Sequence, residues 1–254
     1  MKFLKITPAP RLQPYIKQFV ISESMAESTY KVFPSPGLVL GFQYHGKLAS
    51  FQNGIETELD SAGITGLSDN YKIFRNSSET GTVLVYFTEM GLAFFTSCPA
   101  NELFNQSVSL KNIFHRQKIA DTEERLSEAK TDRQRIYIVE QFLLSQQKEI
   151  QTDKLVSEAV KLIYASGGTI QITELSKRLL TSQSPLEKRF RKLIGTTPKK
   201  FASIIRFNTV INNIGKAKTL TEICYEHNFF DQAHFIKDFK QFTGDTPENF
   251  RRFL

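Results

Sequence analysis

Tryptophan is absent from the 254 residues, and there are only three methionines, nine prolines and thirteen glycines. So little glycine and proline excludes a collagen-like or glycine-rich chain. No run approaches the eighteen or so uninterrupted apolar residues of a membrane-spanning helix, so no membrane partner is expected. The opening stretch MKFLKITPAPRLQPYIKQ carries lysines and prolines but no apolar core, and does not read as a signal peptide. The two cysteines, Cys98 and Cys224, stand far apart and cannot form a disulfide framework, which points to a reducing cytoplasm. Cys98, before Pro99, reads as a small apolar residue rather than a nucleophile.

Catalytic signatures are equally scarce. There is no phosphate-binding G-x-x-x-x-G-K-[ST], no G-x-G-x-x-G after a strand, no H-E-x-x-H and no G-x-S-x-G. The histidines at 45, 115, 227 and 234 form no ligand cluster along the chain. The sequence therefore assigns no catalytic residue, no metal and no cofactor.

What is present is ordinary globular composition, 40% hydrophobic and 23% charged, in a chain long enough for two domains. Charge divides it. Residues 1–151 carry sixteen basic and sixteen acidic residues, whereas residues 152–254 carry seventeen and ten, so the whole excess of +7 lies in the last hundred. A neutral part joined to a basic part is the footprint of a nucleic-acid-binding module fused to something else.

From about residue 30 to 90 the apolar period is near two, as in Val83, Val85 and Phe87 and in the runs 38–46, 47–51 and 71–74. Asn53-Gly54 reads as a hairpin turn. Several short strands at this spacing predict an antiparallel barrel or sandwich. After Gly91 the pattern turns helical, with amphipathic stretches at 120–130 and 132–150 and a polar boundary at 146–153. Ile136, Val139 and Leu143 share a face, which serves either self-association or packing on the chain's own barrel.

Everything after residue 153 reads as helix, and it contains a repeat. Ile172, Glu174 and Leu175 recur 48 residues later as Leu220, Glu222 and Ile223. Leu186, Phe190, Gly195, Pro198 and Phe201 recur 49 residues later as Phe235, Phe239, Gly244, Pro247 and Phe250. Each copy reads as a short helix, a turn, a second amphipathic helix, then a glycine stop and a proline. Two copies are too few for a solenoid and fit a tandem helix-turn-helix.

Residues 155–252 resemble the DNA-binding domain of AraC/XylS-type transcriptional regulators. The resemblance is carried by TELSKRLLTSQSPLEKRFRKLIGTTPKKF, the linker IIRFNTVINNI, TLTEICYEHNF and DQAHFIKDFKQFTGDTPENFRR. Asn228 stands at the usual turn glycine and Phe230 where a small polar residue is common; the linker has Asn208-Thr209 and Asn212-Asn213 in place of smaller or more apolar pairs. Less specifically, VLVYFTEMGLAFFTSCPANELFNQSVSLKNIF (83–114) is similar to a strand-then-helices passage in one subset of these regulators. That similarity implies a cupin-like β domain that senses a small-molecule effector and mediates dimerisation.

The residues agree with the resemblance. Leu186, Phe190, Leu193 and Ile194 make one buried stripe, and Phe235, Phe239 and Phe242 make its counterpart. The outward sets, Ser182, Gln183, Ser184, Glu187, Lys188, Arg191 and Lys192 in one unit and Gln232, Ala233, His234, Lys237 and Lys240 in the other, are the candidate DNA-binding residues. Lys188 and Lys237 are expected at base edges, with a solvated surface charge as the alternative. Arg191, Lys192 and Lys240 are expected on phosphates. Ser182 is expected to cap its helix, and Glu174 and Glu222 to serve their helix N-termini. A linker helix of 16 residues spans about 24 Å, which with the turns sets the two readers about one DNA turn apart.

The expected protein is α+β with two domains. Residues 1–150 form an antiparallel β barrel or sandwich with helices, for effector sensing and oligomerisation. Residues 151–254 form an all-α DNA-binding domain with units at about 172–195 and 220–244. Its partners are expected to be double-stranded DNA, a small-molecule effector, RNA polymerase and a second copy in a homodimer. The alternative from another class is a cupin-type metabolite-converting enzyme with a helical accessory domain.

Overall fold

A computed structural model describes residues 1–52, 54–214, 219–226, 229 and 231–252. Asn53, His227, Asn228 and Phe230, named above from the sequence, lie outside the described residues.

Ten strands build the first part: β1 (Lys2–Ile6), β2 (Ile16–Ser24), β3 (Ser28–Val32), β4 (Val39–His45), β5 (Leu48–Gln52), β6 (Ile55–Glu58), β7 (Ala62–Thr65), β8 (Lys72–Asn76), β9 (Thr80–Phe87) and β10 (Ser107–Ser109). They form two antiparallel sheets, in the orders β1-β2-β9-β4-β7-β10 and β3-β8-β5-β6. One face of the larger sheet carries Phe19, Ile21, Leu40, Phe42, Ile64, Val83, Val85 and Phe87, all buried. Registers of Leu40 with Val85 and Ile64, and of Phe42 with Val83, set these side chains side by side.

That face is covered by α1 (Arg116–Glu128) and α2 (Asp132–Gln146). Phe142 meets Phe42 and Phe114 edge-on, each at 5.3 Å between centroids. A capping box between Thr131 and Gln134 starts α2. Ile136, Val139 and Leu143 are buried in this contact. The stripe expected to serve either self-association or the barrel is therefore core, because an apolar helix face goes to the nearest uncovered sheet. The passage expected to be helical after Gly91 holds two short 3-10 turns, Gly91–Phe94 and Ala100–Leu103.

Among the described residues seven further helices follow: α3 (Lys154–Ala165), α4 (Ile172–Arg178), α5 (Gln183–Ile194), α6 (Pro198–Asn213), α7 (Leu220–Glu226), α8 (Gln232–Thr243) and α9 (Pro247–Arg252). No described helix is long and apolar enough to cross a membrane. Pro198 and Pro247 each open a helix where a missing N–H costs nothing. Gly195 and Gly244 end the two long helices at φ 103° and 79°, a left-handed conformation that glycine adopts without strain.

The apolar interior is in two parts. One runs from the large sheet through α2 and α3 into Leu175, Leu186, Phe190, Ile194 and Ile205. The other gathers Phe207, Val210, Ile223, Phe235, Phe239 and Phe242, with Phe33 and Phe250 at its margin. The first helix-turn-helix thus shares its core with the β region, and the second has a core of its own.

Candidate nucleic-acid interface

Helices α4 and α5 form the first unit and α7 and α8 the second. In α5, Leu186, Phe190 and Ile194 turn inward and are buried. The helical period then puts Ser184, Lys188 and Lys192 in one row on the opposite side, with Arg191 beside it. All four are exposed. In α8, Phe235, Phe239 and Phe242 are buried, and Ala233, Lys237 and Lys240 are exposed. Lys188 and Lys237 hold equivalent positions in the repeat and each lies opposite its unit's core. Among the described residues, no carboxylate stands within salt-bridge distance of Lys188, Arg191, Lys192, Lys237 or Lys240. By contrast Arg189, on the flank of α5, reaches Asp153 at 3.6 Å.

The neighbouring groups are engaged locally. Gln183 donates to Glu187 at 2.8 Å, so these two satisfy each other along the helix. Gln232 is exposed in the first turn of α8. The backbone N–H of His234 donates to the Asp231 carboxylate at 2.6 Å, which caps the helix, and its ring lies 3.8 Å from Asp238. Ser182 occupies the cap position of α5, but its side chain makes no capping bond, contrary to expectation; its hydroxyl is left for another acceptor or donor. Glu222 does serve its helix, accepting from the Thr219 N–H at 2.9 Å while Thr219 accepts from Glu222. Glu174 lies in the first turn of α4, yet its carboxylate takes Arg178 at 2.7 Å, because a cation four residues on is within reach. That pairing holds the carboxyl below its ordinary range.

Three features went unread in the sequence. Leu180, in the turn between α4 and α5, has φ 49° and is 95% exposed, an uncommon combination for a branched apolar residue. Ile236, next to Lys237 on α8, is half-buried against the second core. Arg206 of α6 lies with its guanidinium 4.2 Å from the Phe229 ring and 3.7 Å from Asp238, tying the linker helix to α8. Burial lowers its pKa, with Asp238 opposing that. The available signal was that Arg206 is the one charged residue of α6 after Lys200.

Residues 175–252, which span both units, match a family described as a helix-turn-helix domain, of the AraC type. The second part of the chain is thus a helix-turn-helix domain of the AraC type. Residues 4–109 match a second family, described as a domain of unknown function (DUF6597). The Msm operon regulatory protein of Streptococcus mutans is 29% identical over 119 residues, which is 45% of this chain and 43% of that protein. The match thus spans less than half the length of that relative. The fold is that of ToxT from Vibrio cholerae, with a TM-score of 0.50 at 13% identity over 93% of this chain and 98% of the other.

Beside the first unit lies a cleft of about 260 Å³. Met90, Phe94 and Ile150 line its apolar side, and Arg189 and Lys192 of α5 line the other. Lys192 therefore borders both the outer row of α5 and the β region.

Proposed function

We propose that the chain is a sequence-specific DNA-binding transcriptional regulator in which α5 and α8 enter the major groove. The observation that carries this is the repeated placement of an exposed lysine, Lys188 and Lys237, opposite the buried stripe of each unit. Gln183, Ser184, Glu187, Lys188, Gln232, Ala233, His234 and Lys237 are the candidates for base and groove-edge contact, Arg191, Lys192 and Lys240 for phosphate, and Ser182 for a secondary phosphate contact. In this reading residues 151–254 bind DNA, and residues 1–150 sense an effector and associate with a second copy. Binding and release of DNA, rather than catalysis, is the activity assigned. Small-molecule control belongs to the same reading, and the cleft between Phe94 and Arg189 is a place where a ligand would touch both parts. A cytoplasmic homodimer acting with RNA polymerase is the setting it implies.

The test is selection of duplexes from a random pool by the full chain. A recovered motif whose affinity falls with salt, at about −0.9 in log–log slope per phosphate contacted, supports the reading. Retention of no duplex, or binding indifferent to salt, overturns it.

A further inference from the structure

The two repeat units touch the β region through the same repeat position. In the first unit it is Gly195, which ends α5: a Cβ there would stand 3.0 Å from the carbonyl oxygen of Ala100. Five residues on, Lys200 in the first turn of α6 meets Asp69 at 2.9 Å. In the second unit it is Gly244, which ends α8: a Cβ there would stand 2.7 Å from the ring of Tyr71. Lys31 closes the same contact, donating to the carbonyl of Thr243 at 3.2 Å and to Asp245 at 3.0 Å. Its ammonium lies 5.0 Å from the Tyr71 ring centroid.

Asp69 and Tyr71 are two residues apart, so at most about 7 Å of backbone, bent at Asp69 and Asn70, separates the anchor of one unit from the anchor of the other. That backbone is held firmly. Asn105 donates to the Asp69 carboxylate at 2.9 Å and accepts from the Asp69 N–H at 3.0 Å. The Ser68 hydroxyl donates to the carbonyl of Asn70 at 2.6 Å. Gly66 lies so close to Leu103 that a Cβ would fall 1.9 Å from its carbonyl oxygen. Segments 66–71 and 100–105 are thus one corner, and both units bear on it. Among the described residues α6 also joins the units, and the second unit meets the β region again at Phe33, whose ring lies 5.6 Å from that of Phe250.

We infer that this corner fixes the placement of α5 relative to α8, so that Asp69 and Tyr71 determine which spacing of half-elements in DNA the protein accepts without touching DNA themselves. Geometry assigns the role. With the linker helix alone, the first unit packs on the start of α6 and the second on Phe207, Val210 and Ile214 near its end, so any bending of α6 moves α8 against α5. Two anchors on one rigid corner remove that freedom. The ordering entropy of the two readers is then met on folding rather than on binding, which sharpens discrimination between spacings. The inference rests on the DNA-binding reading for its consequence, but not for the brace itself.

Two measurements separate the two. For the brace, spin labels at Lys188→Cys and Lys237→Cys, in the full chain with Cys98 and Cys224 replaced by serine, report the α5–α8 distance without DNA. The parent should give one narrow distribution. Tyr71→Ala, and independently the milder pair Asp69→Asn with Lys31→Met, should broaden it. An equally narrow distribution in folded variants overturns the brace. For its consequence, half-elements selected by the parent are moved apart or together by two base pairs. The parent should lose tenfold or more in affinity, and the variants less than threefold, with binding to a single half-element unchanged. Equal discrimination by parent and variants overturns the specificity role. A parent that binds no duplex at all counts against the DNA-binding reading and leaves the label distances to decide the brace.

Discussion

The phenol of Tyr164, near the end of α3, donates its hydrogen to the carboxylate of Glu89, just beyond β9. Lys17 of β2 reaches the same carboxylate at 2.6 Å. One acidic group thus receives a donor from the sheet and a donor from the helix that leads into the first helix-turn-helix. Burial, and then the Glu89 carboxylate, raise the phenol's pKa well above its ordinary value, so the hydroxyl stays a donor at neutral pH. Tyr164→Phe is expected to cost about 1 kcal/mol, in the range of a partly exposed hydrogen bond to a charge. Urea denaturation of the full chain measures it. A double-mutant cycle with Glu89→Gln should show coupling between the two sites, and strict additivity would show that the bond contributes nothing.

The two apolar interiors predict unequal consequences for equivalent substitutions. Phe190 and Phe239 occupy the same repeat position, and each is buried. Phenylalanine-to-alanine changes in a packed core cost about 3–5 kcal/mol. Phe190 belongs to the interior it shares with the sheet and α2, so Phe190→Ala should lower the main thermal transition. Phe239 belongs to the separate interior of the second unit, so Phe239→Ala should raise hydrogen exchange in α7–α9 and leave the β strands protected. Exchange rising throughout the chain in the second variant would mean one cooperative unit.

How much of this was legible follows from the range of the interactions. The stripe of Leu186 and Phe190 and its repeat at Phe235 and Phe239 lie within single helices, so the 3.6-residue period exposes them directly. Val83, Val85 and Phe87 alternate because one face of β9 is buried and the other half-exposed. β1 and β3 escaped notice because both are edge strands, exposed along almost all or all of their length, and show no alternation. The stripe of α2 was visible, but not what covers it, since an apolar face names no partner. Asp69 and Lys200, or Tyr71 and Gly244, are brought together only by tertiary folding and leave no local pattern.

Lys72 gives a pH dependence with a definite sign. It projects from β8 and donates to the Ser107 hydroxyl at 3.3 Å. Burial lowers its pKa from 10.5 to about 8. Between those values the folded chain has released the proton while the unfolded chain still holds it, so stability rises with pH across this window. Lys72→Met should remove that increment and raise stability at pH 7. Burial pushes the phenols Tyr30 and Tyr86 upward, so their opposing slope enters only as the unfolded chain's phenols begin to ionise near pH 10, and it is common to parent and variant. Thermal unfolding of parent and variant from pH 7 to 10 checks it; parallel curves would place Lys72 in solvent.

The outer faces of α5 and α8 differ in chemistry, and this predicts two distinct readings of DNA. Ser184 and Lys188 stand on one, and Ala233 and Lys237 on the other. If each lysine meets a base edge, Lys188→Ala and Lys237→Ala should each cost about 1–3 kcal/mol and relax specificity over separate base pairs about one helical turn apart. Arg191→Ala should instead weaken all sequences alike and reduce the salt slope by about one. Because the faces are unlike, the site for one chain should be asymmetric, and a dimer should select two copies of it. Footprinting of the two lysine variants on a selected site decides the matter. Protection lost over the same few base pairs in both, or in neither, would mean that only one unit reads DNA or that the lysines are solvated charges.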